Sequence, residues 1–249
     1  MSGDGARYIN AATENDLNGV KAFLTNKIAP VPVDARDWDN LTAVIAASGK
    51  GHLDMVKYLV QTANADISLK DKDNITALME AAMGGHLEVV QFLASVGAEV
   101  SPIASSGVSP LWLAAGEGHV GVVQFLLGKS ADANNKRSDG ITALMAASAG
   151  GHAEIVRALL AAGASVAGKD KEGLTALISA AENGSVPIVQ LLLEHGAEVN
   201  VMSESGFSPL IIASAHGHLE VVKLLMNAGA DMDLPHPELV RGMRFHFML

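Results

Sequence analysis

Two stretches set 33 residues apart decide how this chain folds: Ile141-Thr142-Ala143-Leu144-Met145-Ala146-Ala147, running on to Gly151-His152, and Leu174-Thr175-Ala176-Leu177-Ile178-Ser179-Ala180-Ala181, running on to Gly184-Ser185. Thr-Ala-Leu also stands at Thr76, Thr-Ala-Val at Thr42, and Ser-Pro-Leu at Ser109 and Ser208. The six landmarks are spaced 34, 33, 33, 33 and 33 residues apart. A second register runs through Gly51-His52, Gly85-His86, Gly118-His119, Gly151-His152, Gly184-Ser185 and Gly217-His218. A third is Gly-Ala at Gly97, Gly163, Gly196 and Gly229, with Asn64-Ala65 and Ser130-Ala131 in its place elsewhere. Self-similarity at this period is the signature of a repeat architecture.

Each landmark has a local physical role. The Thr or Ser is an N-cap whose hydroxyl accepts orphan backbone N–H groups, and Pro110 and Pro209 follow at the first helical position, where the missing N–H is harmless. A short helix through Leu144–Ala147 then stops at Gly151, read as a left-handed C-cap. The second helix is amphipathic, with Ile155, Val156, Leu159 and Leu160 on one face, and it stops at Gly163. Asn64 is the next-best residue for that left-handed position and Ser130 a poorer one. Gly168–Gly173 has turn chemistry and reads as a hairpin loop.

These motifs resemble the ankyrin repeat, a β-turn followed by two antiparallel helices with a Gly-x-Thr-Pro-Leu-His-x-Ala-Ala core and a following Gly-His. The resemblance covers about Trp38 to Met232. It implies an all-α solenoid of stacked helix-turn-helix units joined by hairpin loops. A degenerate unit precedes it, with Ala11-Ala12, Asp16-Leu17, Val20, Phe23 and Leu24 aligning with the repeat core. The expected organisation is an N-terminal capping repeat and irregular loop (1–36), six repeats (37–233) and a tail (234–249). Every unit departs from the family pattern at one place: Ile45, Met79, Trp112, Met145, Ile178 and Ile211 replace the histidine that bonds neighbouring hairpins in the family. The contact between repeats is therefore expected to be apolar.

Composition removes several function classes. The 249 residues contain no cysteine, which excludes disulfides, thiolate nucleophiles and cysteine-ligated metals. The net charge of −10 opposes nucleic-acid binding and makes basic protein partners more natural than acidic ones. No apolar run approaches the roughly 18–20 residues of a membrane span, and Met1–Arg7 has no apolar signal region. The expected compartment is the cytoplasm, or the nucleus. Four register histidines precede Leu, Val or Ala, with His218 a fifth. They are read as bonding at the start of the second helix, too far apart on stacked helices to share a metal. Gly128-Lys129-Ser130 lacks the upstream glycine of a phosphate loop, since Val123 stands there. No catalytic set, cofactor, metal or small-molecule substrate is expected. Asn40, Asn74 and Asn183 head glycosylation-type sequons but read as turn asparagines.

The resemblance implies a non-catalytic protein-binding module whose partner docks on the concave face of hairpin tips and first helices. The alternative is a regulatory part of a larger enzyme. Candidate contacts are the apolar residues before each N-cap: Leu41, Ile75, Val108, Ile141, Leu174 and Phe207. They form either a binding stripe or packing between hairpins. Trp38, at a hairpin tip, and Trp112, in the histidine's place, are hot-spot candidates. Glu117 and His216 stand at the groove floor, which glycines at Gly49, Gly84, Gly116 and Gly150 leave bare. The apolar tail from Val240 to Leu249 is expected to cover the last repeat, to dock on another protein, or to lead into further chain.

Overall fold

The structure, a computed structural model, describes residues 3–233, so the tail from 234 to 249 lies outside the described residues. Two compact units divide the chain, Met1–Asp132 and Ala133–Leu249.

In the first unit a helix pair, α1 (Gly3–Thr13) and α2 (Leu17–Leu24), is followed by three repeats of two helices each: α3 (Ala43–Gly49) with α4 (Leu53–Lys57), α5 (Ala77–Met83) with α6 (Leu87–Ser95), and α7 (Pro110–Gly116) with α8 (Val120–Gly128). First helices stack on first helices, α1 on α3 on α5 on α7, and second helices stack on second helices, α4 on α6 on α8. The second unit repeats the plan with α9 (Ala143–Ala149) and α10 (Ala153–Ala161), α11 (Ala176–Asn183) and α12 (Val186–Glu194), and α13 (Pro209–Ala215) and α14 (Leu219–Asn227). The expected all-α repeat fold is what the chain adopts. Among the described residues there is no extended sheet, only isolated bridges joining Lys70 to Thr76 and Lys136 to Thr142.

The capping chemistry follows the sequence landmarks. Thr42, Thr76, Ser109, Thr142, Thr175 and Ser208 accept the backbone N–H three residues on at 3.2–3.4 Å. Gly51, Gly85 and Gly151 end first helices with φ near +73°. Asn64 and Ser130 take φ of 59° and 62° where other repeats use glycine. Ser130 therefore holds a conformation that disfavours any Cβ. Between helices the core is aliphatic: Val56, Leu59, Val90, Leu93, Val123 and Leu126 in the first unit, and Val156, Leu159, Val189 and Leu192 in the second, are buried completely. Each such side chain stabilises its unit by roughly 1.5–3 kcal/mol.

The single 34-residue interval has a structural cause. Its extra residue enters the second helix, where α4 continues into a π-turn at Tyr58–Thr62. Ala63 N–H bonds Tyr58 carbonyl five residues back, which widens the last turn yet returns Asn64 to the left-handed stop. Lys21 from α2 lies over the Tyr58 ring, 5.1 Å from its centroid. Tyr8, buried in α1, donates its hydroxyl to the Val33 carbonyl at 3.0 Å and so ties the loop after α2 to the helix pair.

Candidate protein-interaction face

Within the first unit the first two hairpins are each organised by an aspartate, whereas the third, with Ala104 at that position, is closed by the backbone bond from Ala104 N–H to the Val108 carbonyl. Asp37 Oδ1 accepts the N–H of Asp39 and Leu41, and Asp71 Oδ1 accepts those of Asp73 and Ile75, all at 2.8–2.9 Å. The left-handed conformation of Asn40 and Asn74 closes these turns, as their reading as turn asparagines required. Successive tips are joined by backbone: Lys72 N–H donates to Asp39 carbonyl at 2.8 Å and Ser105 N–H to Asp73 carbonyl at 2.9 Å. The expectation of a purely apolar contact between repeats is thus corrected. Main-chain groups bond the hairpin tips even though the family's histidine is absent, because backbone donors and acceptors are present whatever the side chain.

Apolar side chains complete that contact below the tips. Met79, which replaces the family histidine, is buried with Ala104 and Val108, and Ile75, Trp112 and Leu113 pack against this cluster while keeping part of their surface in solvent. Of the expected stripe in this unit, Leu41 and Ile75 are half-buried and Val108 is only 6% exposed. Val108 is core. Trp38 stands in a turn with its side chain 85% exposed. Glu117, the residue after α7, is exposed.

The second unit builds its hairpins with a substitution that conserves the physics. Asp170 Oδ1 accepts the N–H of Glu172 and Leu174, and Ser203 Oγ accepts that of Phe207. At the corresponding place Arg137 cannot accept, and Asp139 instead accepts the Ile141 N–H while pairing with the Arg137 guanidinium. That guanidinium is the main reason the Asp139 carboxyl is held down to about 2. Lys171 N–H donates to Asp139 carbonyl and Glu204 N–H to Glu172 carbonyl, both at 2.8 Å. Ile141, Leu174 and Phe207 are half-buried beneath these tips. His216 is exposed after α13, its ring stacked with that of His218 at 5.9 Å between centroids. Among the described residues no group of three or more His, Asp or Glu is arranged to hold a metal ion. No helix there is long and apolar enough to cross a membrane.

The register histidines do something other than cap their own helices. None of those helices receives a side-chain cap bond from its histidine. In the first unit His52, His86 and His119 instead donate Nε2–H backward to the carbonyls of Thr13, Gly49 and Met83 at 2.8–3.1 Å. In the second, His218 donates to Glu182 carbonyl at 2.9 Å. A carbonyl can only accept, so the tautomer carries its proton on Nε2. The ring lies on the preceding repeat's register glycine. A Cβ on Gly51 would stand 2.5 Å from His86 Nδ1, and one on Gly184 2.5 Å from His218 Nδ1. Where Ser185 replaces histidine, Asn183 Nδ2 donates to Ala149 carbonyl at 3.0 Å. Asn183 is therefore an inter-repeat donor rather than a turn asparagine.

One residue of this face escaped the sequence reading. Glu80, on α5, is half-buried, and its carboxylate lies over Gly49, where a Cβ would stand 2.6 Å from Oε2. The floor at Gly49 is therefore filled, not bare. Among the described residues the Glu80 carboxylate makes no hydrogen bond and no ion pair. Burial and the neighbouring Asp71 push it above the usual carboxylate range, against a partial offset from Lys50. The signal available in the sequence was a lone acid at a repeat position held elsewhere by Ala46, Leu113, Ala146, Ser179 and Ile212.

A search of curated proteins returns no match. The family model of ankyrin repeats (3 copies) matches residues 8–104, 103–170 and 166–236. With helix pairs, turns and inter-repeat bonds recurring through this span, the chain belongs to the ankyrin-repeat family.

Proposed function

We propose that this chain is a non-catalytic protein-interaction module, an adaptor, inhibitor or assembly subunit, whose partner docks on the hairpin tips and first helices. Ankyrin repeats are general protein-interaction modules, which supports protein binding as the role. The observation favouring this face is Trp38, a large aromatic side chain held out at 85% exposure on a turn whose backbone is fixed by Asp37. A rigid exposed aromatic is the kind of group that dominates interface energetics. Leu41, Ile75, Trp112, Ile141, Leu174 and Phe207 offer half-buried apolar surface to the same partner class, with Glu117 and His216 as polar edges. The −10 charge favours a basic partner through its long-range field and association rate.

Site-specific photo-crosslinking tests the face. A photoreactive residue is placed at Trp38 or Met83, and in separate chains at Gln91 or Arg157, exposed positions on second helices. Crosslinked peptides recovered from source-cell extract are expected from positions 38 and 83. Crosslinks to the same protein from 91 and 157 alone would overturn the assignment.

A further inference from the structure

Glu80 is the one acid at a repeat position that the other five units fill with uncharged residues. It is on a first helix, half-buried, and next in sequence to Met79, which belongs to the apolar cluster with Val108, Ile75, Trp112 and Leu113. Leu113 occupies the same repeat position on α7, which packs alongside α5, so the carboxylate continues a row whose next member is apolar. One helical turn beyond Glu80, Met83 is 40% exposed. Gly49 supplies the space for the carboxylate by lacking a side chain. The result is an apolar shelf with one unpaired negative charge at its edge, in a chain of net charge −10.

We propose that this shelf binds a peptide segment of a protein partner that presents a Lys or Arg side chain to Glu80 and an adjacent apolar side chain to Met83, Trp112 and Leu113. This rests on the protein-binding reading above and names its chemistry within the first unit. A half-buried charge without a protein partner disfavours the folded chain, and an incoming cation offsets that penalty while donating charge-assisted hydrogen bonds that no group of the chain supplies. The apolar neighbours exclude water from the pair, which strengthens it. Specificity follows from the same arrangement, since a partner placing an acid or an amide there leaves Glu80 unpaired.

The test is selection of a phage-displayed random-peptide library on the intact chain. Enriched peptides are then titrated by fluorescence polarisation against the parent, Glu80→Gln, Gly49→Ala and the exposed control Glu154→Gln. The expected result is enrichment of sequences with Lys or Arg next to Leu, Ile, Met or Phe. Affinity for Glu80→Gln should fall at least about tenfold, which is the scale of one desolvated charge pair, and be unchanged for Glu154→Gln. Gly49→Ala, whose new methyl displaces the carboxylate, should weaken binding as well. Glu80→Gln should melt at a higher temperature than the parent at neutral pH, which separates lost recognition from lost folding.

Enriched peptides without a basic residue, equal affinity for Glu80→Gln, or no enrichment would each overturn the inference. So would concentration-dependent dimerisation abolished by Glu80→Gln, which would give the shelf to a second copy of the chain. Peptides that ignore Glu80→Gln yet crosslink from position 38 would sink this inference and leave the face reading standing. Peptides crosslinking only from second helices would remove both.

Discussion

Two polar side chains from the second repeat lie over bare backbone at the end of α3, and they have opposite fates. His86 covers Gly51 and donates to the Gly49 carbonyl at 3.1 Å; Glu80 covers Gly49 itself and bonds nothing among the described residues. The histidine arrangement recurs as His119 over Gly85 and as His218 over Gly184, and Asn183 supplies the donor where the histidine is missing. The glutamate arrangement occurs once in the sequence pattern. A polar group that recurs from repeat to repeat, by whatever residue is available, is answering a need of the stack, since the last carbonyls of a helix require donors. A polar group provided once, and left without a protein partner, is the one to which the proposed recognition is assigned.

The comparison breaks first at the glycines. Gly85→Ala should be the most damaging of these changes, because φ is +73° and the new methyl would collide with the His119 ring. Left-handed strain of about 1–2 kcal/mol adds to a displaced hydrogen bond worth about 1 kcal/mol, so a loss of about 2–3 kcal/mol is expected in urea unfolding. Wild-type stability in that variant would mean the ring does not need the glycine. His119→Ala should come next, at about 1–2 kcal/mol, since it leaves the Met83 carbonyl without its side-chain donor. Asn183→Ala should match it if the amide truly substitutes for an imidazole. Unequal losses would show that the two seams differ in more than donor identity.

What the sequence made legible follows the same division between recurring and singular features. The period, the hydroxyl N-caps and the left-handed stops, Asn64 and Ser130 included, are local chemistry repeated six times, and repetition turns weak propensities into a secure reading. The long first interval was visible as well, but nothing local says whether an extra residue bulges a hairpin or a helix; here it becomes the π-turn after Lys57. The histidines were found and their partners missed, because a bond reaching 36–39 residues back depends on how repeats stack. Half-burial of Ile75 and full burial of Val108 are set by neighbouring hairpins in the same way. Glu80 was passed over because a search for recurring positions discards the exception.

Acid titration sharpens the contrast with an effect of smaller size and opposite sign. Burial, then Asp71, raise the Glu80 carboxyl above its unfolded value, so the ionised form disfavours folding at neutral pH. Stability contributed by its protonated form is fully present below the unfolded pKa and disappears as pH rises through the raised one. Glu80→Gln should therefore exceed the parent in melting temperature at pH 7, with the gap closing as pH falls through the carboxylate range. A gap that stays constant with pH would mean the gain comes from something other than charge.

The smallest effect belongs to a tip carboxylate that does have a cation. Asp39 pairs with Lys72 at 2.7 Å across neighbouring hairpin tips, both side chains more than half exposed. The hydrogen bond to Asp39 is the chief reason the lysine is held above its ordinary range, yet water screens a pair this open and both long side chains give up freedom to form it. The tips are already joined by the backbone bond from Lys72 N–H to the Asp39 carbonyl, which a change of side chain leaves in place. Lys72→Ala should accordingly leave the urea midpoint unchanged within error at physiological salt. A clear drop would show that the tip pair holds the hairpins together, and the division between recurring structural bonds and one unpaired charge would then have to be redrawn around the tips.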